Sequence, residues 1–257
     1  MKRSKIKNKY STIIKENIDE KKEDKLTFEK TLLNISKTIL LIILLLTFSA
    51  IPLIILSLFH INYNNFSITE KALYLLATDI SFIFILISLY KKDITKDFYN
   101  FFDKNIINNL KISFKYWISG LIIMIISNLA LNAINNGAIA GNEEAVREMI
   151  QQLPFYMIFQ TIIYAPITEE IIFRKSIRNI TNNKYLYIIL SGLIFGGMHV
   201  IGSANSLVDA LYIIPYGALG MAFAALYYKT NNIFSTITIH SFHNTLTIIL
   251  YFIGTFL

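Results

Sequence analysis

The sequence predicts an all-α protein, a polytopic membrane helix bundle of about seven transmembrane helices. Hydrophobic residues make up 54% of the 257 residues and charged residues 16%, whereas an average globular protein has about 25% charged residues. A bilayer core about 30 Å thick requires roughly 20 mostly apolar residues per helix. Seven runs of this kind follow one another, at approximately 38–60, 71–90, 114–134, 153–178, 185–202, 207–228 and 232–256.

The N-terminal segment precedes the first apolar run and is strongly charged. Residues 1–37 carry eleven Lys and Arg against six Asp and Glu. The run at 38–60 follows this long charged segment and has no small-residue cleavage site, so it is expected to be a retained span and not a signal peptide. The chain is therefore predicted to consist of a basic cytoplasmic segment, 1–37, and a transmembrane helical domain, 38–257.

The distribution of positive charge predicts the orientation in the membrane. Lysines and arginines cluster in the second and fourth connections: Lys91, Lys92, Lys96, Lys104, Lys111 and Lys115, then Arg174, Lys175, Arg178 and Lys184. The first and third connections hold only Lys71 and Arg147. Because basic connections stay in the cytoplasm, the sequence predicts a multi-pass protein of the cell membrane with its N-terminus inside and its C-terminus outside.

The net charge of +7 does not indicate a nucleic-acid partner, because the N-terminal segment supplies most of it. This segment is instead expected to contact anionic lipid, which makes the bilayer the predicted partner. The absence of cysteine excludes thiol nucleophiles and disulfides. The connection before the fourth run is expected to contain a short surface helix capped by Asn142, either a connector or a substrate gate.

Two adjacent glutamates and an arginine, Glu169, Glu170 and Arg174, lie inside the fourth apolar run, in the stretch "APITEEIIFRKSI". Ionisable side chains within a span are costly and usually mark function or a paired contact. Glu170 and Arg174 are four residues apart, so they are neighbours on one helical face and neutralise each other. Glu169 lies about 100° around the helix and needs a partner from another span. The candidates are His199, His240 and Asn244.

The expected depths of these residues allow them to meet. At 1.5 Å per residue, Glu169 lies ~24 Å and His199 ~21 Å along their helices, and His240 and Asn244 lie ~12 and ~18 Å along theirs. These positions fall in the middle or the cytoplasmic half of a core about 30 Å thick. One shared site is therefore predicted, although a single acid–histidine pair would also serve only to join helices.

Two further features concern helix packing near the site. Gly192 and Gly196 form a small-xxx-small pattern, which permits close approach of a second helix. Pro166 lies just before Glu169 and removes a backbone hydrogen bond, so it is expected to bend the helix.

Three short motifs, "EEIIFR", "FGGMH" and "HSFHN", follow one another in this order between about residues 150 and 250. They resemble the motifs of the CAAX protease and bacteriocin-processing family (CPBP or Abi) of intramembrane endopeptidases. The resemblance implies that Glu169 is the catalytic glutamate, that His199 helps to activate water, and that His240 and Asn244 bind the oxyanion. The supporting motif residues would be Glu170, Arg174 and Phe195. The family commonly has eight spans, one more than the seven found here.

The residue types allow two mechanisms of peptide hydrolysis. A carboxylate in a poorly hydrated site is basic enough to take a proton from water near neutral pH, which suits Glu169, and no GxSxG elbow supports a serine mechanism. Alternatively, Glu169, His199 and His240 could bind zinc together with a water. The absence of an HExxH pair and the neutral amide of Asn244 favour the mechanism without a cofactor.

The sequence thus predicts an intramembrane endopeptidase that acts on peptides or membrane-tethered proteins, in peptide maturation or in self-immunity to bacteriocins. Two alternatives remain at this stage. The first is a non-catalytic membrane protein that serves as an immunity factor or scaffold. The second is a small transporter with Glu169 and the histidines as a proton relay, although the repeat symmetry common among transporters is absent.

Overall fold

The fold is built from helices. A computed structural model describes residues 27–103, 106–135, 137 and 139–256, and these residues form no strand. In chain order the helices are α1 (Thr27–Thr47), α2 (Ala50–Leu58), α3 (Ile68–Leu89), α4 (Lys91–Asp103), α5 (Ile106–Ile134), α6 (Gly141–Gln152), α7 (154–178), α8 (Lys184–Val200), α9 (Leu207–Ala210), α10 (Ile213–Thr230) and α11 (Ile233–Phe256).

The predicted all-α membrane bundle is confirmed. Within the described residues, four helices are long and apolar enough to cross a membrane: Thr27–Thr47, Ile68–Leu89, Ile106–Ile134 and Leu207–Thr230, the last of which combines α9 and α10. Helix α8 is apolar and somewhat shorter. Each of the seven predicted runs overlaps at least one helix, and together they describe a multi-pass membrane protein.

The first predicted span differs from the structure. The sequence predicts one helix at 38–60, but α1 begins at Thr27 and a turn at 48–49 separates it from α2. Pro52 lies in the first turn of α2, where a missing N–H removes no helical hydrogen bond. The proline therefore favours a new helix over a continuous one. Residues 1–26 of the predicted basic segment lie outside the described residues.

The second connection is also more ordered than predicted. Its lysine-rich sequence forms the amphipathic helix α4, and the following span begins at Ile106 instead of 114. Lys111 and Lys115 consequently belong to α5, while Arg174 and Lys175 are buried within α7. These four residues are not loop residues. The predicted orientation therefore depends on the remaining basic residues and stays a prediction.

The connection before α7 contains the predicted short helix, α6. Its N-cap, however, is Ala140, which provides no side-chain hydrogen bond, so the predicted cap at Asn142 is wrong. Asn142 lies within the first turn of the helix instead. Ile150 is the residue of α6 that is buried against the bundle.

Helix α10 lies between α8 and α5, and small residues permit both contacts. A Cβ atom added to Gly196 of α8 would lie 2.8 Å from the backbone nitrogen of Gly217 and 2.8 Å from the carbonyl oxygen of Ile213. A Cβ added to Gly192 would overlap Cγ of Met221. The close helix approach that the small-xxx-small pattern predicts is thus present, and it places α8 and its histidine directly against α10.

Replacing Gly196 by alanine is expected to destabilise the protein by about 1–3 kcal/mol, because its methyl group would overlap backbone atoms that cannot move independently. Gly197 of the same helix provides the control, since the nearest atom to an added Cβ there is 3.9 Å away. Thermal unfolding in detergent should show a lower Tm for Gly196→Ala and an equal or higher one for Gly197→Ala, because alanine favours a helix more than glycine does. Equal Tm values for the two variants would contradict this packing.

Helix α7 carries the first motif and departs from regular α-helical geometry. It contains two π-helical segments, Gln160–Tyr164 and Glu170–Ser176, on either side of the α-helical segment Ala165–Glu169. Such segments widen the helix and leave backbone groups without their usual partners, and they are frequent at functional sites. Pro166 lies between them, as expected of a residue that lacks a backbone N–H.

Candidate active site

The site is anchored by a buried ion pair within α7. Glu170 and Arg174 are both 0% exposed, and Nε of Arg174 donates to Oε2 of Glu170 over 3.0 Å. A second nitrogen, Nη1, donates to the hydroxyl of Ser191 on α8 over 3.0 Å. The guanidinium also lies 4.6 Å from the ring centre of Phe195. The predicted neutralisation of Glu170 by Arg174 is therefore present, and it connects α7 to α8.

His240 of α11 is held by the same carboxylate. Its Nδ1 atom lies 2.9 Å from Oε1 of Glu170 and the ring is buried. An ionised carboxylate, as the ion pair with Arg174 indicates, has only acceptors, so Nδ1 of the imidazole carries the hydrogen. The opposite nitrogen, Nε2, is left for a second interaction. In the neutral imidazole it accepts a hydrogen bond, and in the imidazolium it donates one.

Glu169 faces this second nitrogen. Its Oε2 atom lies 3.8 Å from Nε2 of His240, and it is buried without a hydrogen-bond partner within the described residues. The separation is longer than a hydrogen bond, and a water molecule commonly bridges polar groups at such distances. The structure therefore brings Glu169 to an imidazole of another helix, as the sequence predicts.

His199 reaches the site less directly. Its Nδ1 atom lies 2.9 Å from the carbonyl oxygen of Phe195, one turn earlier in α8, and its ring is stacked on Tyr216 at 4.7 Å. No hydrogen bond or ion pair joins His199 to Glu169 or His240 among the described residues. The ring of Phe195 connects the two histidines, with its centre 4.4 Å from that of His199 and 6.0 Å from that of His240.

Asn244 lies one turn beyond His240 on α11 and already uses part of its hydrogen-bonding capacity. Its side-chain nitrogen donates to the carbonyl oxygen of Thr161 over 2.8 Å. The hydroxyl of Ser241 donates to the neighbouring carbonyl of Ile162. Ile162 is four residues before Pro166, which has no N–H with which to bind that carbonyl. These two bonds join α11 to the irregular part of α7 and leave the second amide hydrogen of Asn244 for another acceptor.

Three of these contacts involve residues that sequence reasoning missed: Ser191, Tyr216 and Ser241. For Ser241 a signal was available, because Pro166 frees the carbonyl four residues earlier and a hydroxyl within the "HSFHN" motif is a suitable donor. No sequence signal indicated Ser191 or Tyr216. Their roles depend on how the helices are rotated against one another.

A polar network at one end of the site fixes the start of α11. Nζ of Lys175 lies 3.4 Å from Asp93 and 3.7 Å from Asp97 of α4. Asp97 also accepts a hydrogen bond from the backbone nitrogen of Ile233, the first residue of α11. Burial raises the pKa of Asp97 above its usual range, and the positive charge of Lys175 opposes this rise. The network thus ties α4 to the two helices that carry Glu169 and His240.

The remaining motif histidine, His243, has a structural contact. Its Nδ1 atom accepts a hydrogen bond from the indole nitrogen of Trp117 over 3.2 Å. Within the described residues, no three His, Cys, Asp or Glu side chains are grouped so that they could hold a metal ion. The geometry therefore does not assemble the predicted zinc set of Glu169, His199 and His240, and the zinc alternative stays a prediction for metal analysis.

Comparisons with known proteins cover the part of the chain that contains the three motifs. Residues 151–246 match the family model described as type II CAAX prenyl endopeptidase Rce1-like, a range that includes all three motifs. No solved structure shows a significant match.

Among curated proteins, the chain is 34% identical over 112 residues to a Bacillus subtilis protein named "Putative membrane peptidase YdiL". The matched stretch covers 42% of each of the two chains. It is 34% identical over 94 residues to an uncharacterised protein of Mycoplasma capricolum, 36% of this chain and 26% of that one. It is also 29% identical over 212 residues to the UPF0177 protein YajF of Lactococcus lactis, 78% of this chain and 96% of YajF. The first two matches thus span less than half of those relatives. The resemblance indicated by the three motifs is confirmed: residues 151–246 of this helical membrane protein match the Rce1-like family model, and the matched Bacillus subtilis protein carries the name of a membrane peptidase.

Proposed function

We propose that the protein is an intramembrane endopeptidase that hydrolyses a peptide bond with a water molecule activated by Glu169. The observation that carries the proposal is the position of the Glu169 oxygen Oε2, which has no hydrogen-bond partner among the described residues. This oxygen lies 3.8 Å from Nε2 of His240, and Glu170 holds the other nitrogen of the same ring. A buried acceptor without a partner is costly in a structure that serves stability alone. It is what a general base needs before substrate and water arrive.

The proposed reaction begins with proton transfer. Glu169 takes a proton from the water, and the resulting hydroxide attacks the carbonyl carbon of the scissile bond. Negative charge then develops on the carbonyl oxygen. The second amide hydrogen of Asn244 is one donor for this oxyanion, and Nε2–H of His240 is the other. Protonated Glu169 finally gives its proton to the departing amine, so that one water is consumed for each bond cleaved.

The bond between His240 and Glu170 sets a condition on this mechanism. Because Nδ1 carries the hydrogen that binds Glu170, Nε2 donates to an oxyanion only when the ring is an imidazolium. The Glu170 carboxylate stabilises that cation and holds the ring in place, the role that a buried carboxylate has beside a catalytic histidine. Glu170 is therefore a positioning residue, and Arg174 acts through it. Phe195 packs against Arg174 and lies between the two histidines. His199, stacked between Phe195 and Tyr216, is proposed to assist the water.

The proposed substrates are peptides or membrane-tethered proteins that enter the bilayer as far as the site. In the proposed orientation the N-terminus is cytoplasmic, so cleavage takes place in the middle or the cytoplasmic half of the membrane. Maturation of a peptide and self-immunity to a bacteriocin are both compatible with this chemistry. A non-catalytic immunity or scaffold protein would bind such a peptide without cutting it.

The proposal is tested by incubating the purified protein in detergent with a library of membrane-tethered peptides and identifying the products by mass spectrometry. We expect cleavage by the wild-type protein, strongly reduced cleavage by His199→Ala, and no stoichiometric metal in the same sample. Binding without cleavage would support the non-catalytic alternative. Stoichiometric zinc, together with activity lost on chelation and restored by zinc, would contradict the metal-free mechanism.

A further inference from the structure

A groove on α5, outside the candidate active site, combines an apolar surface with two lysines. Its volume is about 600 Å³, and it is lined by Ile107, Leu110, Lys111, Phe114, Lys115 and Ile118. These residues recur at intervals of three and four, so they form one continuous face of the helix. The lysines are exposed, and neither forms an ion pair with a described residue.

The groove continues into a surface that faces lipid. Ile118, Ile122, Ile125 and Leu129 follow on the same face of α5 and are between 45% and 68% exposed. Because α5 is long and apolar enough to cross the membrane, this stripe faces hydrocarbon. The two lysines lie ~7.5 and ~13.5 Å along the helix from Ile106 at 1.5 Å per residue. They therefore lie where the apolar stripe meets the membrane surface, with long side chains that extend to the headgroups.

We propose that the α5 groove binds one anionic phospholipid, whose phosphate contacts Lys111 and Lys115 and whose acyl chain lies along Phe114 and Ile118. The charges are complementary, since two ammonium groups one helical turn apart face a single phosphate. The basic N-terminal segment of the chain would not complement them, because residues 1–37 carry a positive excess themselves. In the proposed orientation the groove lies in the cytoplasmic leaflet, where anionic lipids attract basic residues.

The occupied groove would contact the helix that carries the candidate active site. The ring centre of Phe114 lies 5.7 Å from that of Trp117 and 5.1 Å from that of Phe242 on α11. Trp117 lies 5.3 Å from Phe242, and it is the only tryptophan of the chain. Its fluorescence is therefore a specific reporter of acyl chains in the groove. The proposal itself does not depend on peptide hydrolysis.

The test measures quenching of Trp117 fluorescence by lipids with brominated acyl chains. The full-length protein is reconstituted into vesicles of phosphatidylglycerol and phosphatidylcholine, with the bromine on one lipid and then on the other. Each lysine near the membrane surface contributes about 1 kcal/mol of attraction. We expect phosphatidylglycerol to be preferred over phosphatidylcholine in the groove by about 30-fold. At 1.4 kcal/mol for each tenfold ratio, this preference corresponds to about 2 kcal/mol.

A matched pair of variants separates a specific site from general attraction. The Lys111→Gln/Lys115→Gln variant should lose the preference, whereas Lys91→Gln/Lys92→Gln, which removes two exposed lysines from α4, should retain it. An unchanged Tm and emission maximum would confirm that both variants are folded. Equal quenching by the two lipids in the wild-type protein, or equal loss in both variants, would overturn the proposal. Absence of quenching by either lipid would also overturn it, since a protein segment or a second copy would then cover the groove.

Discussion

The Glu169→Gln variant should cleave peptides with a kcat/KM about 1,000-fold below that of the wild-type protein, within the range by which a general base contributes to catalysis. Glutamine has nearly the same shape and still binds a water, but it does not take a proton from it. The loss should therefore be confined to kcat, with little change in Tm. Steady-state cleavage of a tethered peptide together with thermal unfolding would measure both quantities.

The matched control for this prediction is Glu144→Gln on α6. Glu144 is exposed to solvent in the described structure, so its replacement removes the same charge without touching the site. Its kcat/KM should equal that of the wild-type protein. Undiminished cleavage by Glu169→Gln would remove Glu169 from the reaction and would favour a different base.

The Arg174→Met variant is expected to be less stable than the wild-type protein by about 3–5 kcal/mol, because Glu170 would remain as a buried charge without its cation. Replacing both partners is a different change. The Glu170→Gln/Arg174→Met variant leaves no uncompensated charge, and such replacements are often nearly neutral. Chemical denaturation of the two variants in detergent should therefore show a large loss in the single variant and substantial recovery in the double one.

The cleavage activity of the double variant separates a structural role of Glu170 from a positioning role. If Glu170 stabilises the imidazolium form of His240, activity should stay well below wild type although stability is regained. Recovery of wild-type activity together with stability would show that the ion pair only holds the helices together.

The sequence predicts where the helices lie and which residues form the site more fully than it predicts the contacts between those residues. Hydropathy locates the apolar runs because burial in lipid requires about 20 apolar residues. It overlooks α4, whose 13 residues include three lysines and three aspartates, although this helix holds the start of α11 through Asp97. Hydropathy also merges α1 and α2, because the turn between them lies within one apolar run.

The internal geometry of the site depends on how each helix is rotated about its own axis, which the spacing of residues in the sequence does not determine. Spacing of four residues predicts the bond between Glu170 and Arg174, since both residues lie on one helix. It does not predict that His240 binds Glu170 through one nitrogen and faces Glu169 with the other. It also does not show that Asn244 binds the carbonyl oxygen of Thr161, which lies in a π-helical segment of α7. These contacts depend on the rotation of each helix about its own axis.

Glu169 of α7, which activates the water, and His240 of α11, which binds the oxyanion, are proposed to act as one unit. The most direct test of this cooperation is the kcat/KM of Glu169→Gln, His240→Gln and the double variant, measured with one tethered peptide. Residues that act as a unit have non-additive effects. We therefore expect the double variant to be about as active as the slower single variant. A double variant whose loss equals the product of the two single losses would mean that the residues act independently, and it would contradict the claim.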